Sequence, residues 1–121
     1  MSIFIMAYQN RATTEEIDLL KANGDPITLA ANDKVRVKIG RGQQLPLLDI
    51  VSGTNLGGGT SVTKANPAVL SLYPADLAAA NIPPGVYDIE AIVIDSADSD
   101  RAKIADEGVF VLSGTMLGAI T

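Results

Sequence analysis

Along residues 86–95 the chain alternates and then turns apolar on both faces. Tyr87, Ile89, Ala91 and Val93 hold the odd positions while Asp88 and Glu90 open the even ones. This is the period of two of a strand with one face in a core. Farther on, Ile92 and Ile94 make the even face apolar as well, as in a strand covered on both sides. The pattern predicts a central strand. Pro83 and Pro84 lack a ladder donor and Gly85 tolerates unusual backbone angles, so this strand is expected to begin abruptly.

A second strand is expected over residues 33–39, where Val35, Val37 and Ile39 alternate with Lys34, Arg36 and Lys38. The three cations read as a solvated stripe, since no aromatic residue interleaves with them for base stacking. Such a stripe would also keep a strand edge from indiscriminate pairing. Residues 47–51, 61–63, 68–72, 102–104 and 108–112 are shorter strand candidates, separated by turn signals at residues 40–46, 52–60 and 95–101. Residues 74–80 read as one or two helical turns with Pro74 at an early helical position.

Residues 13–24 admit two readings. Thr13 and Glu16 have capping-box spacing, which suits a short helix. Ile17 and Leu19 also alternate with Glu16 and Asp18, and Asn23-Gly24 then makes a hairpin turn, so a strand is favoured. Residues 1–10 alternate poorly and serve either as a first strand or as an arm that joins a neighbour's sheet. Residues 113–121 form an apolar tail that packs at home or docks on a neighbour.

A chain of 121 residues suits a single domain, residues 1–121, with terminal arms at 1–10 and 113–121 as the alternative use of its ends. About seven or eight short strands with one helical bridge predict an all-β fold, an antiparallel immunoglobulin-like β-sandwich. A small barrel is the runner-up.

Composition narrows the chemistry. With no Cys and no His, the usual zinc sites, Ser/His/Asp and Cys/His constellations and c-type haem attachment are excluded. A formal charge of −5 argues against nucleic acid and against an anionic membrane surface as partner. Charged residues reach only 19% against 47% apolar, which fits a surface covered by neighbours in an assembly. No apolar run approaches the ~18 residues of a membrane span, and residues 3–7 are too short for a secretory leader, so a soluble chain is expected.

Asp88 and Glu90 share a strand face without an evident tuning partner, and read as a wet polar face rather than a catalytic pair. Asp95, Asp98 and Asp100 invite a calcium reading, but the glycine and the twelfth-position Glu of an EF-hand loop are missing. Gly57, Gly58 and Gly59 lack the Lys-Ser or Lys-Thr of a phosphate loop, and read as a mobile hairpin or inter-subunit loop. No nucleophile motif is present, so no enzyme, cofactor or metal is expected.

Tyr87, two residues after Gly85, resembles the tyrosine corner of immunoglobulin-like domains, whose hydroxyl ties the strand to an upstream backbone group. The Cys and Trp hallmarks of antibody domains are absent. Two segments are similar to the immunoglobulin-like modules of bacteriophage virion proteins. One, residues 17–39, contains Asn23-Gly24-Asp25-Pro26-Ile27-Thr28-Leu29 and Asp33-Lys34-Val35-Arg36-Val37. The other, residues 69–110, contains Leu70-Ser71-Leu72, Pro74-Ala75-Asp76, Pro84-Gly85-Val86-Tyr87-Asp88-Ile89 and Gly108-Val109-Phe110. In baseplate and tail modules a G-x-P-x-x-L turn precedes one strand and G-x-Y opens another.

The resemblance covers roughly half the chain. It implies a non-enzymatic virion structural protein, a capsid decoration (cement) subunit that binds the lattice of the major capsid protein and is itself oligomeric in the particle. A small tail or baseplate subunit, or a receptor- or carbohydrate-binding module, is the alternative. Contacts are expected from Ile3, Phe4 and Ile5, from Gly57, Gly58 and Gly59, and from Met116, Leu117 and Ile120, with Gly85 and Tyr87 structural. Repetition over a symmetric shell would multiply each weak contact.

Overall fold

Eight strands and one short helix make up the described residues: β1 (Ser2–Tyr8), β2 (Thr13–Ile17), β3 (Asp33–Gly40), β4 (Leu48–Val51), β5 (Ser61–Val62), β6 (Ala68–Leu72), α1 (Pro74–Ala79), β7 (Gly85–Asp95) and β8 (Asp98–Ser113). The computed structural model describes residues 2–114 except Ala22, Gln43, Ser96 and Ala97, with backbone alone at Ser2, Asp95 and residues 98–105. The strands form a five-stranded sheet in the order β1-β8-β7-β3-β4 and a three-stranded sheet in the order β2-β6-β5.

β7 is the middle strand of the larger sheet, paired antiparallel to β8 and to β3. Its odd residues face inward: Tyr87, Ile89, Ala91 and Val93 are all buried. Across the ladder Val35, Val37 and Ile39 stand opposite Val93, Ala91 and Ile89, so two independent alternations meet in register and bury one continuous face. From the smaller sheet Ile17, Val62, Ala68, Leu70 and Leu72 close the core, with Leu77 of α1 and Ile82 at one end. Burying each such Leu or Ile contributes about 1.5–3 kcal/mol, which makes this core the main source of stability.

Residues 13–17 are strand because β2 finds an antiparallel partner in β6. The reversal at Asn23-Gly24 is held by Lys21 N–H to Asp25 O at 2.7 Å and Ile27 N–H to Leu19 O at 2.9 Å, and Gly24 takes a φ of 92°. Asn66 locks this turn to the segment just ahead of β6: its carboxamide accepts from Leu19 N–H and donates to the carbonyls of Leu19 and Ile27.

Three expectations change. β1 runs parallel to β8, so the larger sheet is mixed and not wholly antiparallel. Residues 98–113 are one strand and not two, because pairing with β7 on one side and β1 on the other carries the chain through the polar stretch Asp106-Glu107-Gly108. Irregular register at Ala91/Ile92 and Val93/Asp95 absorbs the mismatch near the far end of that pair. β3 lies inside the sheet, so its cations guard no edge. Arg36 instead forms a two-point ion pair with Asp49 on β4, while Lys38 stands opposite Asp49 on one side and Glu90 on the other.

At the start of β7 the Tyr87 hydroxyl donates to the Pro83 carbonyl, four residues upstream. Gly85 is not among the described glycines with positive φ, so backbone freedom is not its role. A Cβ there would stand 3.1 Å from Arg41 Nη2, and the Arg41 guanidinium rests 4.7 Å above the Tyr87 ring. Tyr87→Phe keeps the buried ring and removes only the hydroxyl bond. Urea unfolding should show a loss of about 1 kcal/mol with an unchanged slope.

Candidate functional site

β1 shows how local sequence sets the surface. Ile3, Ile5 and Ala7 turn into the core, and Phe4 and Met6 turn outward on the same strand. Of the three leader residues expected to make contacts, Ile3 and Ile5 are therefore unavailable, because the core holds their side chains. Phe4 remains, 64% exposed. The strand is at home in its own sheet, paired along its length with residues 107–113.

The ladder places Phe4 opposite Val109 and Met6 opposite Val111, and β7 in turn sets Val86 opposite Val111 and Asp88 opposite Val109. Phe4, Met6, Val86 and Val109 thus share the outer face of three adjacent strands, and all four are exposed, Val86 to 64%. Val111 lies among them, half-buried. An apolar cluster on an open sheet face is the usual mark of a surface that meets another molecule.

The next row of the same face is acidic. Glu107 stands opposite Glu90, and Asp88 lies two residues from Glu90, accepting a hydrogen bond from Gly42 N–H at 2.8 Å. With Gly42 and Val109 these carboxylates line a shallow groove. Toward β4 the charges are matched: the Arg36 guanidinium holds Asp49 below the usual carboxylate range by hydrogen bonding, against the opposing effect of burial, with Lys38 adding to the attraction. The face is therefore apolar toward β1, acidic across its middle and ion-paired toward β4. Among the described residues no group of acidic side chains is arranged to hold a metal ion.

Gly57, Gly58 and Gly59 lie elsewhere, in the loop after β4, which is the opposite edge of the larger sheet from β1. The expectation of a mobile hairpin is corrected, because Asp76 of α1 ties this loop down. Its carboxylate accepts from Gly58 N–H at 2.7 Å and from Thr60 N–H at 2.8 Å. The Thr60 hydroxyl in turn accepts from Tyr73 N–H at 3.0 Å. Gly58 is required by close approach, since a Cβ would sit 2.8 Å from Asp76 Oδ2 and 2.9 Å from the Ala75 Cβ. Burial pushes the Asp76 carboxyl up, but the Thr60 hydroxyl and the N–H groups of Thr60 and Gly58 outweigh it and hold the group below its ordinary value.

Met116, Leu117 and Ile120 lie outside the described residues, as do the side chains of Asp95, Asp98 and Asp100. Tyr87 and Phe110 are buried against each other with centroids 6.3 Å apart, so neither ring is offered for the sugar stacking that a carbohydrate-binding module uses. Sequence reasoning missed Met6, Val86 and Val109 as surface residues. The parity of Asp88 and Glu90 already pointed Val86 outward, whereas β1 hides its parity because both of its faces are apolar. No protein-family model matches the chain, and no curated protein matches it. Among the described residues no helix is long and apolar enough to cross a membrane.

Proposed function

We propose that the chain is a non-enzymatic structural subunit of a phage virion, with an immunoglobulin-like fold, that decorates the capsid and stabilises the shell lattice. The observation that carries the assembly part is the exposed apolar cluster of Phe4, Met6, Val86 and Val109 beside an uncharged edge strand. The strand order supports the immunoglobulin-like reading: β8, β7, β3 and β4 take the places of strands G, F, C and C′, and β2, β6 and β5 those of B, E and D. The Tyr87 hydroxyl bond at the head of β7 supports it again. The virion assignment itself comes from the resemblance of residues 17–39 and 69–110 to phage modules.

Peptide mass spectrometry on particles separated into purified heads and purified tails tests it. The chain is expected with the heads, in copy number comparable to the major shell protein. Recovery with the tails would move it to a tail or baseplate subunit, and absence from both would overturn the virion reading.

A further inference from the structure

We propose that β1 pairs with β1 of a second copy of this chain, antiparallel about a two-fold axis at Ile5, joining the two larger sheets into one. This names the partner of the surface just described and rests on that assembly reading.

Each edge strand has unpaired backbone groups on its outer side. Just past β1 the N–H of Gln9 bonds Ser113 O at 3.2 Å, and the backbone N and O of Ile3 face Gly108, so odd residues direct their groups at β8. Strand alternation then leaves the N–H and C=O of Phe4 and Met6 on the free edge. The other three edges are guarded by the usual devices. β2 carries Glu15 and Glu16, β4 is only four residues with Asp49 at its second position, and β5 is two residues long. The β1 sequence Ser-Ile-Phe-Ile-Met-Ala-Tyr has no charge, no Pro and no Gly. It is the one edge among the described residues open to another strand.

Its own sequence is the best match for it. Overlap of Ile3–Ala7 with a second copy, short of Tyr8 whose carbonyl already accepts from Arg11 N–H at 3.4 Å, puts the axis at Ile5, where Phe4 meets Met6 of the second copy and Met6 meets its Phe4. Edge-facing residues thereby meet edge-facing residues, and the two pairs exchange their free N–H and C=O groups. On the outer face each phenyl ring lies beside a thioether, a favourable contact, and the Val86 and Val109 surfaces of both copies extend the same apolar strip.

Like charge does not oppose this register. Each copy has a formal charge of −5, but the carboxylate that the ladder sets against the strand is Glu107, paired with Ser2 at one end. Antiparallel overlap sends the two Glu107 side chains to opposite ends, on the order of 20 Å apart, beyond the screening length of about 8 Å at physiological salt.

Sedimentation velocity of the full chain from about 1 to 100 μM tests the pairing. The wild type is expected to move toward twice the 12.6 kDa chain mass as concentration rises. Phe4→Lys/Met6→Lys places two cations on the edge and should stay monomeric, with an unchanged thermal midpoint. Met6→Pro, which removes only an outward N–H, serves as the second variant should the first fail to fold. A wild type that stays monomeric throughout, or variants that associate as it does, would overturn the pairing. A monomer recovered with phage heads leaves the virion reading standing without the dimer. A dimer absent from both heads and tails does the reverse.

Discussion

Gly108→Val is expected to expel β1 from the sheet. An ideal Cβ at Gly108 would lie 1.8 Å from the Ile3 carbonyl oxygen and 2.6 Å from the Ile3 nitrogen, both backbone atoms. A flexible side chain can move aside; a paired strand cannot without giving up its ladder. Ile3 and Ile89 are the neighbours of Gly108 in register on the two sides. Displacing β1 exposes Ile3, Ile5 and Ala7, now 8%, 2% and 0% accessible. Losing that burial should cost about 3–6 kcal/mol, a large share of the stability of a domain this size. Urea unfolding measures the loss, and amide exchange locates it: the odd-numbered residues from Ile3 to Gln9, whose N–H groups face β8, should lose protection while β3 and β7 keep theirs. A variant with full protection across β1 would show that the strand tolerates the side chain.

Asp76→Ala should loosen the glycine loop and the start of β5 together. The substitution leaves the N–H groups of Gly58 and Thr60 without their shared acceptor, and removes the partner of the Thr60 hydroxyl. Two covered donors left unpaired cost about 2–4 kcal/mol. Asp76→Asn separates charge from shape, because an amide accepts at one atom and offers N–H groups at the other. The pH dependence has a definite sign. With the folded carboxyl below its unfolded value of about 4, its contribution is fully present above that pH and is lost as pH falls through the folded value. The wild type should therefore lose stability on acidification below about pH 4 more steeply than Asp76→Asn. Parallel pH profiles for the two proteins would show that Asp76 is not the group responsible.

The expectation of a flexible glycine loop and the finding of a tethered one differ for a local reason. Asp76 follows Pro74 in the first turn of a short helix, where an acidic residue needs no further explanation. Its partners are 16 and 18 residues away in sequence, in a segment with no periodic pattern of its own. Only the packing of α1 against the β4–β5 connection brings the carboxylate under Gly58. Gly108 is similar. In the sequence it reads only as the first residue of the strand candidate 108–112, and the crowding by Ile3 that requires it exists only once β1 has docked.

The alternation in β3, β6 and β7, the prolines ahead of Gly85 and the helical turn from Pro74 were all legible, because period and backbone restriction are local properties that neighbouring residues encode between themselves. They determined an all-β chain with β7 at its centre and a tyrosine at the head of that strand. Partner choice was not local. The parallel pairing of β1 with β8, the continuity of β8 through its polar middle, and the outward row of Phe4, Met6, Val86 and Val109 each depend on contacts between residues about 20 to 100 positions apart. A strand apolar on both faces, such as β1, does not say which side is core. The tertiary structure decided it by covering Ile3 and Ile5 with the second sheet and leaving Phe4 and Met6 in the open.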